Sequence, residues 1–194
     1  KMGFAIARAA SQAGAIVHLI AGPVSLKSPW QVHRTDVVSA LDMKQAVDRA
    51  LESMQHSVIE RSIFISVAAV ADWRPAEIAS QKIKKQHGES APSLQFIENP
   101  DILAGVAQSE RAQSGALFCV GFAAESHDLL NHAKAKRERK GVPLLVGNIG
   151  PATFGQDDNA LLLVDAQGAK ELPHASKLEL ARLLVQDIAR RLAA

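Results

Sequence analysis

Tyrosine is absent from this 194-residue chain, cysteine occurs once, and aromatic residues make up only 4% of it. Without tyrosine there is no Tyr/Lys pair for a nicotinamide-dependent oxidoreductase, and no Gly-x-Gly-x-x-Gly links a strand to a helix. So few rings also leave no stacking platform for single-stranded nucleic acid. A net charge of +2, mostly dispersed, gives no electrostatic footprint for duplexes, so no nucleic-acid partner is expected. The lone Cys119 cannot form an intramolecular disulfide, and its place inside the apolar run 116–124 predicts buried packing rather than reactivity. No apolar run approaches the roughly 20 residues that span a bilayer, and Lys1-Met2-Gly3-Phe4 lacks a signal-peptide layout; we expect a cytoplasmic chain without membrane contact. The histidines give no legible metal set, since His127 and His132 are five apart and miss the i, i+4 spacing of two ligands on one helix face.

What is present is an ordinary globular balance, 47% hydrophobic and 22% charged, enough for one sizeable α/β core. Ala5, Ile6, Ala9 and Ala10 keep helical spacing up to Gly14, and 15–21 then reads as a buried strand ending at Gly22-Pro23. A strand is expected at 32–38 and a helix at 40–54, with Leu41, Ala46, Val47, Ala50 and Leu51 on one face. The rhythm continues with a buried strand at 62–71, a short one at 94–97, a helix at 100–109, a strand at 117–123, a helix at 129–140 and a strand at 143–147. Beyond a turn-rich loop at 150–159, strands at 160–165 and 170–172 flank a turn at Gln167-Gly168, and 176–192 reads as an amphipathic helix with a serine cap. We expect a single α/β domain over 1–194, Rossmann-like, with a mostly parallel sheet covered by helices on both faces. A small Lys-rich flap at 76–93 and a C-terminal hairpin and helix complete it. The chain begins inside a helix where a doubly wound domain begins with a strand and a Gly-rich turn, so that strand and turn are expected upstream.

The chemistry concentrates between Val67 and Leu103. Small residues run through Ala68-Ala69-Val70-Ala71 into Asp72, at the carboxyl end of a strand, where open α/β sheets bind ligands and small side chains let a sugar or base approach the backbone. Lys82-Ile83-Lys84-Lys85 follows as mobile positive charge. Asn99 before Pro100 reads as an N-cap with proline at the first helical position, which leaves backbone N–H groups for an anion. The basic run 134–140 is either a solvated last helical turn or a phosphate-binding face.

These pieces, with Lys1–Ala7, Ala21-Gly22-Pro23-Val24, Val120-Gly121-Phe122-Ala123-Ala124-Glu125 and Asp158-Asn159, occur in the order found in a known family. Nearly end to end, the chain resembles the phosphopantothenoylcysteine synthetase domain of the bacterial bifunctional coenzyme A biosynthesis proteins. The resemblance implies a ligase that joins 4′-phosphopantothenate to L-cysteine. CTP activates the pantothenate carboxylate as an acyl-cytidylate with release of pyrophosphate, Mg²⁺ accompanies the triphosphate, and the cysteine amine then displaces CMP. By position it implies nucleotide contacts at Ser66, Val67, Ala68, Asp72, Lys82, Pro100, Asp101, Ile102, Leu103, Phe122, Lys136 and Lys140, the last two four residues apart on one helix face. Lys82 takes the chemical role, stabilising charge on the phosphate or the tetrahedral centre. A homodimer is implied, as is fusion to or association with a flavin-dependent decarboxylase. Two departures stand out: the family's Gly-rich strand and Ser-Asn-x-Ser-Ser-Gly segment are missing before Lys1, and Gly141-Val142-Pro143 replaces a pattern that carries Asp before the strand. The alternatives are a non-catalytic module that binds nucleotide or another subunit, and an NAD(P)-dependent Rossmann oxidoreductase.

Overall fold

A computed structural model describes residues 1–55, 61–79, 81, 93–125, 128–149 and 157–193. Helix α1 (Met2–Gln12) leads to β1 (Val17–Ala21), β2 (Val32–Asp36), α2 (Ala40–Gln55) and β3 (Ser62–Ser66). The short strands β4 (Trp73–Pro75) and β5 (Phe96–Glu98) precede α3 (Ile102–Ala107) and α4 (Glu110–Gln113). Then come β6 (Leu117–Glu125), α5 (Leu129–Lys140), β7 (Leu144–Ile149), β8 (Asp158–Val164), β9 (Ala169–Ser176) and α6 (Lys177–Ala193).

The main sheet has the order β3-β6-β7-β8-β9, with β3, β6 and β7 parallel and β8 and β9 antiparallel. Apolar parallel strands require cover on both faces, and strand alternation supplies the residues for each. Val120, Leu144 and Val146 meet Ile6 and Ala9 of α1 and Leu180, Leu184 and Ile188 of α6. On the other face Cys119, Ala123 and Leu145 meet Val47 of α2, Leu103 and Val106 of α3 and Ala133 of α5. The result is the layered, mostly parallel α/β architecture that the pattern predicts. Cys119 is 1% exposed, and burial pushes its thiol up to about 11, which fits a packing role. Helix α3 sits tightly on β6: a Cβ at Gly121 would lie 2.7 Å from Leu103 Cδ2 and 2.8 Å from Leu145 Cδ1.

The amino-terminal strands correct the sequence expectation. Strands β1 and β2 form their own parallel pair, and no strand pairing joins β1 to β3 among the described residues. Ile20 of β1 and Phe64 of β3 nevertheless pack on the same apolar cluster. Both strands were expected to be buried; both are largely half-exposed, and Ile63 keeps 42% of its surface in water. An edge without a paired neighbour leaves its side chains and backbone open to solvent, whatever their hydrophobicity. The 22–31 connection between the parallel strands carries no helix. Arg34 secures it instead, donating from Nη1 to Leu26 O at 2.6 Å while its guanidinium lies 5.3 Å from the centre of the Phe4 ring.

Strand β3 ends at Ser66 rather than at 71, because the chain leaves the sheet there and turns into the antiparallel β4–β5 arm, where Trp73 pairs with Glu98. At the other end of the chain, Ser176 Oγ accepts from the Glu179 N–H at 3.3 Å, the serine cap that the sequence predicts. Asp187 of α6 is 7% exposed and is matched by Arg191 Nε at 2.6 Å and Lys170 Nζ at 3.0 Å, while Arg191 Nη1 reaches Asp165 at 2.6 Å. Burial raises the pKa of both carboxyls, but the hydrogen bonds from Arg191 outweigh it and hold them below the usual carboxylate range. The network pins α6 to the β8–β9 turn, where Asp165 Oδ1 also accepts from the Gln167 and Gly168 N–H groups.

Candidate functional site

The carboxyl end of β3 and the loop that follows it form one wall of the site. Ser66 pairs in register with Gly121, Val67 is half-buried against the cluster shared with α1 and α6, and Ala68 and Asp72 are exposed. The start of α1 stands over this wall, since a Cβ at Gly3 would lie 3.7 Å from Val67 Cβ.

The second wall is tied to the first by Asn99. Its backbone N–H donates to Asp72 O at 2.8 Å, its side-chain amide donates to Ala71 O at 2.8 Å, and its carbonyl Oδ1 accepts from Arg74 Nη1 at 3.2 Å. Arg74 also donates to Glu98 O. Asn99 thus braces the 71–74 segment instead of capping a helix. The cap is Asp101: Oδ1 accepts from Ala104 N–H at 3.0 Å and α3 begins at Ile102, which moves Pro100 outside the helix. Asn99 is committed to Ala71 and Asp72, so the capping role passes to Asp101 and the helix starts two residues later than expected. One of the backbone donors expected to face an anion is thereby taken by a carboxylate.

Lys140 arrives from α5 and forms an ion pair with Asp101 Oδ2. Burial raises the pKa of this carboxyl, and the hydrogen bonds from Lys140 and Ala104 outweigh it, so the group lies below the usual carboxylate range. Helix α5 stops one residue later because Gly141 adopts φ 66°, a left-handed conformation that closes the helix with N–H bonds to Arg137 O and Glu138 O. Val142 is then buried, so the Gly-Val-Pro departure produces an ordinary capped exit into β7. Arg137 Nη1 donates to Val142 O at 3.3 Å, while Lys134 and Arg139 are exposed.

The structure thus links Asp72, through Asn99, to Pro100, Asp101, Ile102 and Leu103, and these to Lys140. Lys136 lies one turn earlier on α5 and is half-exposed. Phe122 stands apart, packed half-buried with Val67 on the α1–α6 face while Leu103 is buried on the opposite face. Lys82 and its neighbours to Lys85 lie outside the described residues, as does most of the 76–93 flap. Sequence reasoning missed the brace made by Asn99 and Arg74 and the pairing of Asp101 with Lys140. An Asp three residues before Ala104 was a usable capping signal; the pair with Lys140 had none, being 39 positions away.

A layered α/β domain with helices on both faces of a mostly parallel sheet is of the doubly wound type, in which ligands bind beyond the carboxyl ends of the strands. The chain belongs to the DNA/pantothenate metabolism flavoprotein C-terminal domain family, which matches residues 1–192. It is 45% identical over 193 residues to the coenzyme A biosynthesis bifunctional protein CoaBC of Haemophilus influenzae, covering 98% of this chain and 45% of that protein. It is 43% identical over 195 residues to CoaBC of Escherichia coli, covering 98% and 46%. The chain therefore spans a little under half the length of these relatives. The crystal structure of the C-terminal domain of CoaBC superposes with a TM-score of 0.76 at 28% identity, covering 99% of this chain and 82% of that one.

Proposed function

We propose that this chain is a CTP-dependent phosphopantothenate–cysteine ligase domain of coenzyme A biosynthesis. The carboxylate of 4′-phosphopantothenate attacks the α-phosphorus of CTP and expels pyrophosphate, and the cysteine amine then attacks the acyl carbon, expelling CMP and losing a proton. A carboxylate becomes a useful electrophile only when its oxygen belongs to a phosphate leaving group, and cations must offset repulsion between the two anions. In this reading backbone groups at Ser66, Val67 and Ala68 meet cytosine, Asp72 meets the sugar, residues 100–103 and Phe122 complete the pocket, and Lys136 and Lys140 reach the outer phosphates. Lys82 stabilises charge in the conversion of the acyl-cytidylate. Mg²⁺ shields the triphosphate charge when bound. Any such metal would be carried mainly by the triphosphate with one or two carboxylates.

The observation that carries the proposal is the continuous link from the backbone of Ala71 and Asp72 after β3, through Asn99 and Asp101, to a lysine of α5. A homodimer is also proposed, supported by the β4–β5 arm, which leaves Trp73, Phe96 and Ile97 exposed. Such a concentration of apolar side chains on a two-stranded arm fits self-association. A flavin-dependent decarboxylase as fusion or partner fits relatives twice as long that are described as bifunctional. A cytoplasmic location is consistent with the absence, among the described residues, of any helix long and apolar enough to cross a membrane.

The test is incubation with CTP, Mg²⁺, 4′-phosphopantothenate and L-cysteine, with chromatographic detection of the amide product, CMP and pyrophosphate. Stoichiometric formation of all three is expected. CTP binding without product would select a non-catalytic nucleotide module. A thermal transition raised by NAD and not by CTP would overturn the ligase reading.

A further inference from the structure

Asp101 makes two commitments at once. One carboxylate oxygen caps α3 through Ala104 N–H at 3.0 Å, and its backbone oxygen accepts from Gly105 N–H at 2.9 Å, so the side chain has a fixed origin. The other oxygen holds the Lys140 ammonium. The lysine side chain is 18% exposed and the aspartate side chain 46%, so the pair is half-shielded and survives moderate salt better than a fully solvated one. Asp101 is thus the carboxylate bonded to a lysine that, in the ligase reading, serves the outer phosphates.

We propose that Asp101 sets how tightly the nucleotide site holds outer phosphates: it competes with phosphate for Lys140, so that small anions do not occupy the empty site and pyrophosphate leaves after the first chemical step. This inference rests on the CTP reading above. The physical argument is one of competing partners. A ligand that reaches Lys140 must open an existing ion pair and then lie beside a carboxylate, so Asp101 weakens every ligand carrying outer phosphates. A nucleotide that engages only the base and sugar positions between Ser66 and Asp72 does not meet the pair and is indifferent to it. Asp101 therefore narrows the affinity gap between CTP and CMP and weakens pyrophosphate, the product that has to depart.

The substitution Asp101→Asn separates the two commitments, because asparagine is as good an N-cap as aspartate and lacks the charge. Calorimetric titrations of CTP, CMP and pyrophosphate into the unmodified chain, Asp101→Asn, Lys140→Gln and the double variant provide the test. For Asp101→Asn we expect CTP and pyrophosphate to bind about threefold to tenfold more tightly, the size of losing one partly screened charge, with CMP changed by less than about twofold. In the Lys140→Gln background the same change should have no more than about a twofold effect. Unchanged or weaker CTP binding in a folded Asp101→Asn protein would overturn the inference, as would a gain that persists without Lys140. If the unmodified chain binds none of the three ligands, the nucleotide reading itself fails; CTP binding with a flat response to Asp101→Asn removes only the inference.

Discussion

The two ends of the sheet use similar sequence to different effect. Leu144, Leu145 and Val146 of β7 are completely buried, with helices on both faces and a paired strand on each side. Strands β1 and β3 are scarcely less apolar, yet among the described residues each is paired on one side only and both remain half in water. Apolar composition fixes which residues seek cover. Whether they obtain it depends on the number of neighbours, and burial contributes about 25 cal/mol per Å² only where the area actually leaves water.

This contrast is open to direct attack. Leu184→Ala, in the completed core beneath α6, should cost about 2–5 kcal/mol in urea unfolding, whereas Ile63→Ala at the open edge should cost under about 1 kcal/mol. Equal losses would erase the difference between the two regions. At the functional edge, Lys82→Gln should leave CTP affinity within about twofold while lowering product formation by at least about 100-fold. Parallel loss of both would remove Lys82 from the chemistry.

A smaller effect is expected from acid. Asp165 and Asp187 have folded pKa values below the ordinary value of about 3.9, so their stabilisation is complete above that value and is lost as pH falls through the folded ones. The melting temperature should therefore drop below about pH 4, and Arg191→Met should flatten that part of the profile; an unaltered acid limb would show that the network at α6 does not govern it. Lys136→Ala should weaken CTP about threefold to tenfold and CMP by less than about twofold, with an unchanged preference counting against an outer-phosphate role. The smallest effect should be a gain: Gly105 lies in α3 with nothing among the described residues within 4 Å of an added Cβ, so Gly105→Ala should stabilise by about 0.5–1 kcal/mol in the same unfolding assay.

Much of the fold was legible from residue patterns because alternation and helical spacing are local. The helix Leu129–Lys140 was read to the residue, the serine cap of α6 was visible as Ser176, and the buried cysteine followed from its apolar run. The candidate site was legible in part. Asp72 and the helix near Pro100 were marked, but Asn99 was read as a cap when Asp101 is the cap, since both types cap well and only the path of the backbone chooses between them. Of the β4–β5 arm, the second strand was anticipated at 94–97 and stands at Phe96–Glu98, whereas β4 was missed because a three-residue strand carries almost no period.

By itself the sequence determined the alternation of strands and helices, the apolar face of the helix at 40–54, and the order of motifs that ties the chain to its family. Tertiary structure decided which strands gained two neighbours, that Asn99 braces the acidic loop, and that Asp101 holds Lys140. These depend on residues 28 and 39 positions apart meeting in space. Local propensity and periodicity are properties of neighbouring residues and carry no information about such meetings, whereas hydrogen bonds and ion pairs exist only once the packed layers have fixed the distance between their partners.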